Sequence, residues 1–214
     1  MAFAAALVAT AATAGDFIFK YPTPERGKED GRKVCIRKIT DAREFEDRPA
    51  KAETPSLAAG KENTDEKTRQ RAVARVRDGY GKARSNVFLG ADEDVMKVMR
   101  RVIGDGLAAQ GFALVEEGKA DKDTQMLDVS IQKFWGWIDI NAGGGFTGSG
   151  TMTMTADIET ELTFAEGGLK EKKKVPISVR SEARLGIGVT GRAWQNTFLK
   201  AFTEYQGKLA KAGV

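Results

Sequence analysis

Three runs of alternating apolar and polar residues limit this chain's fold more than any other feature. Leu127, Val129 and Ile131 alternate with Asp128, Ser130 and Gln132. Met152, Met154, Ala156, Ile158, Leu162 and Phe164 alternate with Thr151, Thr153, Thr155, Asp157, Glu159 and Glu161. Val175, Ile177, Val179, Ala183 and Leu185 alternate with Ser178, Arg180, Glu182 and Arg184. A period of two sends successive side chains to opposite faces, so each run predicts a strand with one buried and one wet face. Gly-rich residues 143–150 and the polar stretch 166–174 join the runs into a meander. Asp157, Glu159 and Glu161 fall on the face expected to be wet.

Two helical stripes supply the other layer. Over 92–110, Val95, Met96, Val98, Met99, Val102, Ile103 and Leu107 recur at three- and four-residue steps, with acids at the start and Gly111 at the end. Over 192–211 the stripe is Trp194, Phe198, Ala201, Phe202, Tyr205 and Leu209. Residues 33–40 read as a first strand and 112–115 as a short one. Residues 64–66 can cap a short surface helix running to Asp78. The expectation is an α+β two-layer sandwich, its sheet dominated by antiparallel pairs, with two amphipathic helices on one face. Residues 15–32 read as a linker, and 33–214 as a single domain with a polar, basic excursion at 41–84.

Residues 1–14 carry no charge, are rich in Ala and end in Ala12-Thr13-Ala14. A short apolar run ending in small-x-small predicts a signal peptide cut near Gly15, hence export to the periplasm or cell envelope. It is too short to span a bilayer, so no transmembrane span is expected. Across 214 residues there is no His and one Cys. That excludes a Ser-His-Asp triad, a Cys-His pair and an intramolecular disulfide. Cys35, between Val34 and Ile36, reads as a buried thiol.

Candidate binding residues fall in three places. From Lys67 to Arg84 seven cations (Lys67, Arg69, Arg71, Arg75, Arg77, Lys82 and Arg84) stand against Asp78 alone, with Tyr80 among them. In an exported protein such a segment is either a solvated face or a contact for an envelope protein or anionic envelope surface; nucleic acid is not expected. Trp135 and Trp137 share one strand face, which fits core packing. Together with Phe146 in the glycine-rich loop, they would otherwise suit a partner contact. Gly186-x-Gly188-x-x-Gly191 follows a strand and precedes a helix, but no further strand follows to complete a dinucleotide fold. A small anion at Thr190, Gly191 and Arg192 is the remaining option there. No metal or cofactor is expected, and no acid–base pair stands out, so the chain reads as non-enzymatic. Met96, Met99, Met152 and Met154 leave a second option, an apolar cleft carrying a lipid or similar ligand.

Residues 34–43 (VCIRKITDAR), 78–89 (DGYGKARSNVFL), 107–112 (LAAQGF) and 127–131 (LDVSI) resemble the YajG-type family of bacterial envelope lipoproteins. The Trp-containing strand and the final helix agree, and the resemblance covers roughly 33–205. It implies an export signal, an envelope location and a small α+β domain akin to accessory lipoproteins of envelope transport and assembly. It carries over no catalytic residue. No Cys directly follows the predicted signal, which departs from the family's lipid attachment.

Overall fold

A computed structural model describes residues 19–21, 23–58, 60, 64–77, 83–141, 151–165, 172–185 and 191–212. The elements are β1 (Lys33–Asp41), α1 (Glu66–Arg71), β2 (Ala72–Arg77), β3 (Ala83–Phe88), α2 (Val95–Ala109), β4 (Ala113–Leu114), β5 (Thr124–Asn141), β6 (Thr151–Ala165), β7 (Lys172–Leu185) and α3 (Gly191–Lys211). The seven strands form one sheet.

β5, 18 residues long, is the axis of that sheet. Along one side it pairs antiparallel with β6, which pairs antiparallel with β7. Its other side is shared end to end. The first half takes β1 in parallel from Lys33↔Thr124 to Asp41↔Ile131, and β4 joins β1 in parallel outside it. The second half takes β2 in parallel at Gly136, with β3 antiparallel beyond.

The sheet is therefore mixed, and the expected antiparallel dominance and two-helix count are corrected: parallel pairs stand at β1–β4, β1–β5 and β2–β5, and three α-helices are present. Alternation reports that one face is wet; it does not report the direction of a neighbour. Parallel neighbours need long return connections, and the span between β1 and β5 supplies one that includes α2.

A bulge decides what β5 presents. The β5–β6 register slips between Ile131 and Lys133, leaving Gln132 as the additional residue. Before the slip Leu127, Val129 and Ile131 face the helices; after it Phe134 and Ile138 do, while Trp135 and Trp137 turn to the opposite face. Gly136 keeps the helix side open: a Cβ there would lie 2.5 Å from Trp194 Cζ3. The stripes of α2 and α3 close the main core, with Phe134, Phe198, Phe202 and Tyr205 fully buried.

Irregular segments complete both faces. Residues 19–21 and 23–32, within the stretch 15–32 read from composition as a linker, run as a strap over the helices. Phe19 is buried, its ring 4.9 Å from Phe198 and 5.3 Å from Phe202. Gln195 Nε2 donates to Lys20 O at 2.9 Å, and Gly27 N–H to Ala108 O at 3.1 Å. The Arg32 guanidinium sits 3.9 Å over the Phe112 ring. On the opposite face, residues 42–58 bury Phe45 and Leu57 against Trp135. The helix expected to reach Asp78 stops at Arg71; Ala72, Val73 and Ala74 are wholly buried in β2 instead. Val73 and Val76 suit a pleated, packed surface better than a helix turn.

Tyr205 pins α3 to the sheet through a 2.7 Å bond with the Thr160 hydroxyl. Burial raises the Tyr205 phenol well above its usual 10.0, with the Thr160 bond opposing. The folded state then keeps a proton that the unfolded state has lost. Stability from this group is full below about pH 10 and falls as pH rises through the window above it. Tyr205→Phe is expected to be about 1 kcal/mol less stable at neutral pH. It should lose stability less steeply than the parent above pH 10, as read by denaturant midpoints across that range.

Candidate functional site

Three arginines of the basic segment, Arg69, Arg71 and Arg75, bond the chain's own carbonyl and hydroxyl oxygens. Arg71 donates from Nε and Nη2 to Leu89 O at 3.1 and 2.7 Å, Arg75 Nη1 to Ser56 Oγ at 3.0 Å, and Arg69 Nη1 to Thr64 O. Arg69 and Arg71 of α1 and Arg75 of β2 thus tie these two elements to the segments beside them. Arg77 lies in β2 and Arg84 in β3. Tyr80 and Lys82, like Phe146 and Thr190, lie outside the described residues. Gly191 begins α3 and Arg192 is exposed on it.

The hub of this corner is Arg43. Its side chain is 0% exposed and all five N–H groups have acceptors. Nε and Nη2 each meet an Asp41 carboxylate oxygen at 2.8 Å; Nη1 donates to Ala72 O at 2.6 Å and Phe134 O at 3.0 Å; Nη2 also donates to Arg69 O at 2.8 Å. This is the point where β5 changes partner from β1 to β2, leaving carbonyls without a ladder. The guanidinium takes the place of the missing strand.

Trp135 and Trp137 are both buried. Trp135 Nε1 donates to Ala52 O at 3.2 Å, and the ring meets Phe45 edge-on at 6.0 Å. Trp137 lies beneath two cations, Arg180 at 5.2 Å and Lys133 at 5.7 Å from the ring centre. Both cations also hold Asp157, Arg180 at 2.7 Å and Lys133 at 2.9 Å. Asp157 is 1% exposed, so it is not part of a wet face as expected.

Met99 and Met154 lie in the core, with Met96 and Met152 partly buried against it. Cys35 is buried, and burial raises its thiol pKa. Among the described residues no three His, Cys, Asp or Glu side chains are grouped to hold a metal ion, and no helix is long and apolar enough to cross a membrane.

Cations gather instead where α3 lies along β7. β7 carries five cations and one acid, α3 four cations and one acid, so the two elements hold +7 in a chain of +4. The exposed members include Lys173, Lys174, Arg184, Arg192, Lys200, Lys208 and Lys211. Lys173 Nζ reaches Ala212 O at 3.4 Å and Lys208 Nζ donates to Ser178 O, tying strand to helix, while Lys174 and Arg180 turn to the other face of the sheet and pair with Glu161 and Asp157. The run of lysines at 172–174 and the spacing of Arg192, Lys200, Lys208 and Lys211 along one helix side were the available signals. Their adjacency needed the fold.

No protein-family model and no curated protein matches the chain. Solved structures resemble it weakly. A structure described only as an uncharacterized protein has a TM-score of 0.46 at 9% identity, covering 94% of this chain and 100% of that one. A DUF330 protein from Xanthomonas campestris has a TM-score of 0.44 at 12% identity, covering 91% and 90%. The rare lipoprotein B of Shewanella oneidensis has a TM-score of 0.33 at 15% identity, covering 53% of this chain and 79% of that one. The likeness to a bacterial lipoprotein is thus weak and partial, and none of these scores supports a conclusion about function.

Proposed function

We propose that this chain is a non-enzymatic, envelope-associated binding or assembly-accessory domain that rests against an anionic envelope surface. The observation that carries this reading is the concentration of cations along β7 and α3, against a remainder of the chain that sums to −3. Each Lys or Arg near an anionic bilayer contributes about 1 kcal/mol, so a ridge of several gives useful, salt-sensitive attachment. The export signal read at 1–14 and the sequence resemblance to YajG-type lipoproteins over 33–205 support the compartment. On this reading the basic segment at 67–84 stabilises the fold first, since Arg69, Arg71 and Arg75 hold the domain's own carbonyl and hydroxyl oxygens.

Co-sedimentation with vesicles tests it. The protein should pellet with phosphatidylglycerol-containing vesicles, remain in solution with pure phosphatidylcholine, and release as salt is raised. The triple variant K173E/K208E/K211E should lose at least about tenfold in affinity. Equal indifference of the parent protein to both vesicle types would sink the proposal.

A further inference from the structure

Two lysines of α3 end on the free edge of β7. Lys208 Nζ donates to Ser178 O, and Lys200 Nζ reaches Glu182 O at 3.5 Å. Residues of one parity point their backbone groups to the same side of a strand, so these two carbonyls share the edge. Pro176, which has no N–H to pair, falls in the same set. The helix and strand run in opposite directions, since the later lysine meets the earlier carbonyl.

Two rulers give the spacing of the ammonium groups. Four residues of strand, at about 3.4 Å each, separate the carbonyls by about 14 Å. Eight residues of helix, at about 1.5 Å each, separate the two lysines by about 12 Å. Midway between them on the same side of α3 stands Glu204, one turn from each. Its Oε2 accepts from Ser181 Oγ at 2.8 Å, and its Oε1 lies 3.8 Å from Lys200 Nζ. The stripe along this edge therefore reads plus, minus, plus. An ammonium has three N–H donors, so a lysine that spends one on a carbonyl keeps two for an incoming anion. The carbonyl also holds the head in place, which lowers the entropy lost when an anion binds.

We propose that this stripe binds a saccharide headgroup phosphorylated at both far ends, with one phosphate on Lys208 and the other on Lys200. The proposal deepens the reading that β7 and α3 meet an anionic envelope surface, by naming the headgroup. A single hexose with two phosphates holds them too close together to reach both lysines, whereas two linked rings span the gap. Hydroxyls in the middle of the sugar donate to Glu204, a charge-assisted bond. A dense array of single phosphates would set one against that carboxylate, so Glu204 discriminates by repulsion. Once one phosphate is seated, the second contact is intramolecular, and the spacing itself supplies affinity.

Titration calorimetry on the full chain at low salt, with soluble probes that carry no acyl chain, tests this without a bilayer. A glucose disaccharide phosphorylated at both far ends should bind several-fold more tightly than fructose bisphosphate, which has as many phosphates on one ring. It should also outbind its own singly phosphorylated form and inorganic phosphate. Lys200→Gln and Lys208→Gln change exposed helix positions, and each should bring the doubly phosphorylated disaccharide down to the level of the singly phosphorylated one. Glu204→Gln should narrow the disaccharide's lead over fructose bisphosphate. Equal binding of the disaccharide and fructose bisphosphate, unchanged affinity in either lysine variant, or no binding at millimolar concentration would each overturn the proposal. Vesicle binding without the spacing preference keeps the broader reading and sinks this one; the preference without vesicle binding does the reverse.

Discussion

Replacing Arg43 with Met is expected to destabilise the domain by about 3–5 kcal/mol, the usual loss when one partner of a buried ion pair is removed. The substitution keeps most of the apolar stem and removes the guanidinium. Asp41 then keeps a carboxylate that is nearly enclosed, with side-chain exposure of 9%, and no counter-charge within the pair. The carbonyls of Arg69, Ala72 and Phe134 lose their donor at the same time. A carbonyl left buried without a partner costs about 1–3 kcal/mol, so the lower end of the range is already conservative. Arg43→Lys should recover only part of the loss, because one ammonium cannot reach a carboxylate and three carbonyls in a fixed fan. Guanidinium chloride denaturation of the three proteins checks this. A Met variant within 1 kcal/mol of the parent would show that water satisfies the same acceptors.

Trp135→Ala is expected to cost about 3–5 kcal/mol, the range for truncating a fully buried aromatic side chain. Its effect should also be local. Trp135 is the floor on which residues 42–58 rest, through Phe45, Leu57 and the bond to Ala52 O. Without the indole, that segment keeps few apolar contacts, and its amides should exchange faster than those of β5 and β6. Hydrogen exchange resolved by peptide distinguishes this from uniform loss. If 42–58 and the helix side of the sheet lose protection equally, the two faces behave as one unit and the segment has no separate stability.

Much of the layout was legible because hydrophobic period reports burial directly. The meander of β5, β6 and β7 and the stripes of α2 and α3 stand where the alternation and the three- and four-residue steps put them. What failed was information that period does not contain. A strand with one wet face looks the same beside a parallel or an antiparallel neighbour, so β1, β2 and β4 joining in parallel could not be read. Ala72–Arg77 is too short to show either period, and its charged neighbours made it resemble a surface helix. Residues 19–21, 23–32 and 42–58 are irregular, as prolines and glycines announce, yet an irregular segment can still be packed, and composition does not show which. Phe45 is a single ring in polar surroundings and Phe19 stands in the short apolar run Phe17-Ile18-Phe19, and both are buried.

The candidate site was less legible for a related reason. A run of charge along the chain is visible in sequence, whereas its function depends on what lies opposite in space. Arg71 faces the Leu89 carbonyl and Arg75 the Ser56 hydroxyl, so part of the densest local charge serves internal bonding. The exposed ridge arose from two thinner stretches, β7 and α3, brought side by side.

The placement of β5 also has a kinetic consequence. β1 and β2 both lie against β5, and the registered contacts join Lys33 to Thr124 and Ala74 to Gly136, long separations that close late in folding. β5, β6 and β7 are joined by near neighbours and can assemble first as a template. A chain synthesised or threaded from its N-terminus therefore carries β1 with only the two-residue β4, and β2 with only β3, until β5 emerges to join the two pairs into one sheet.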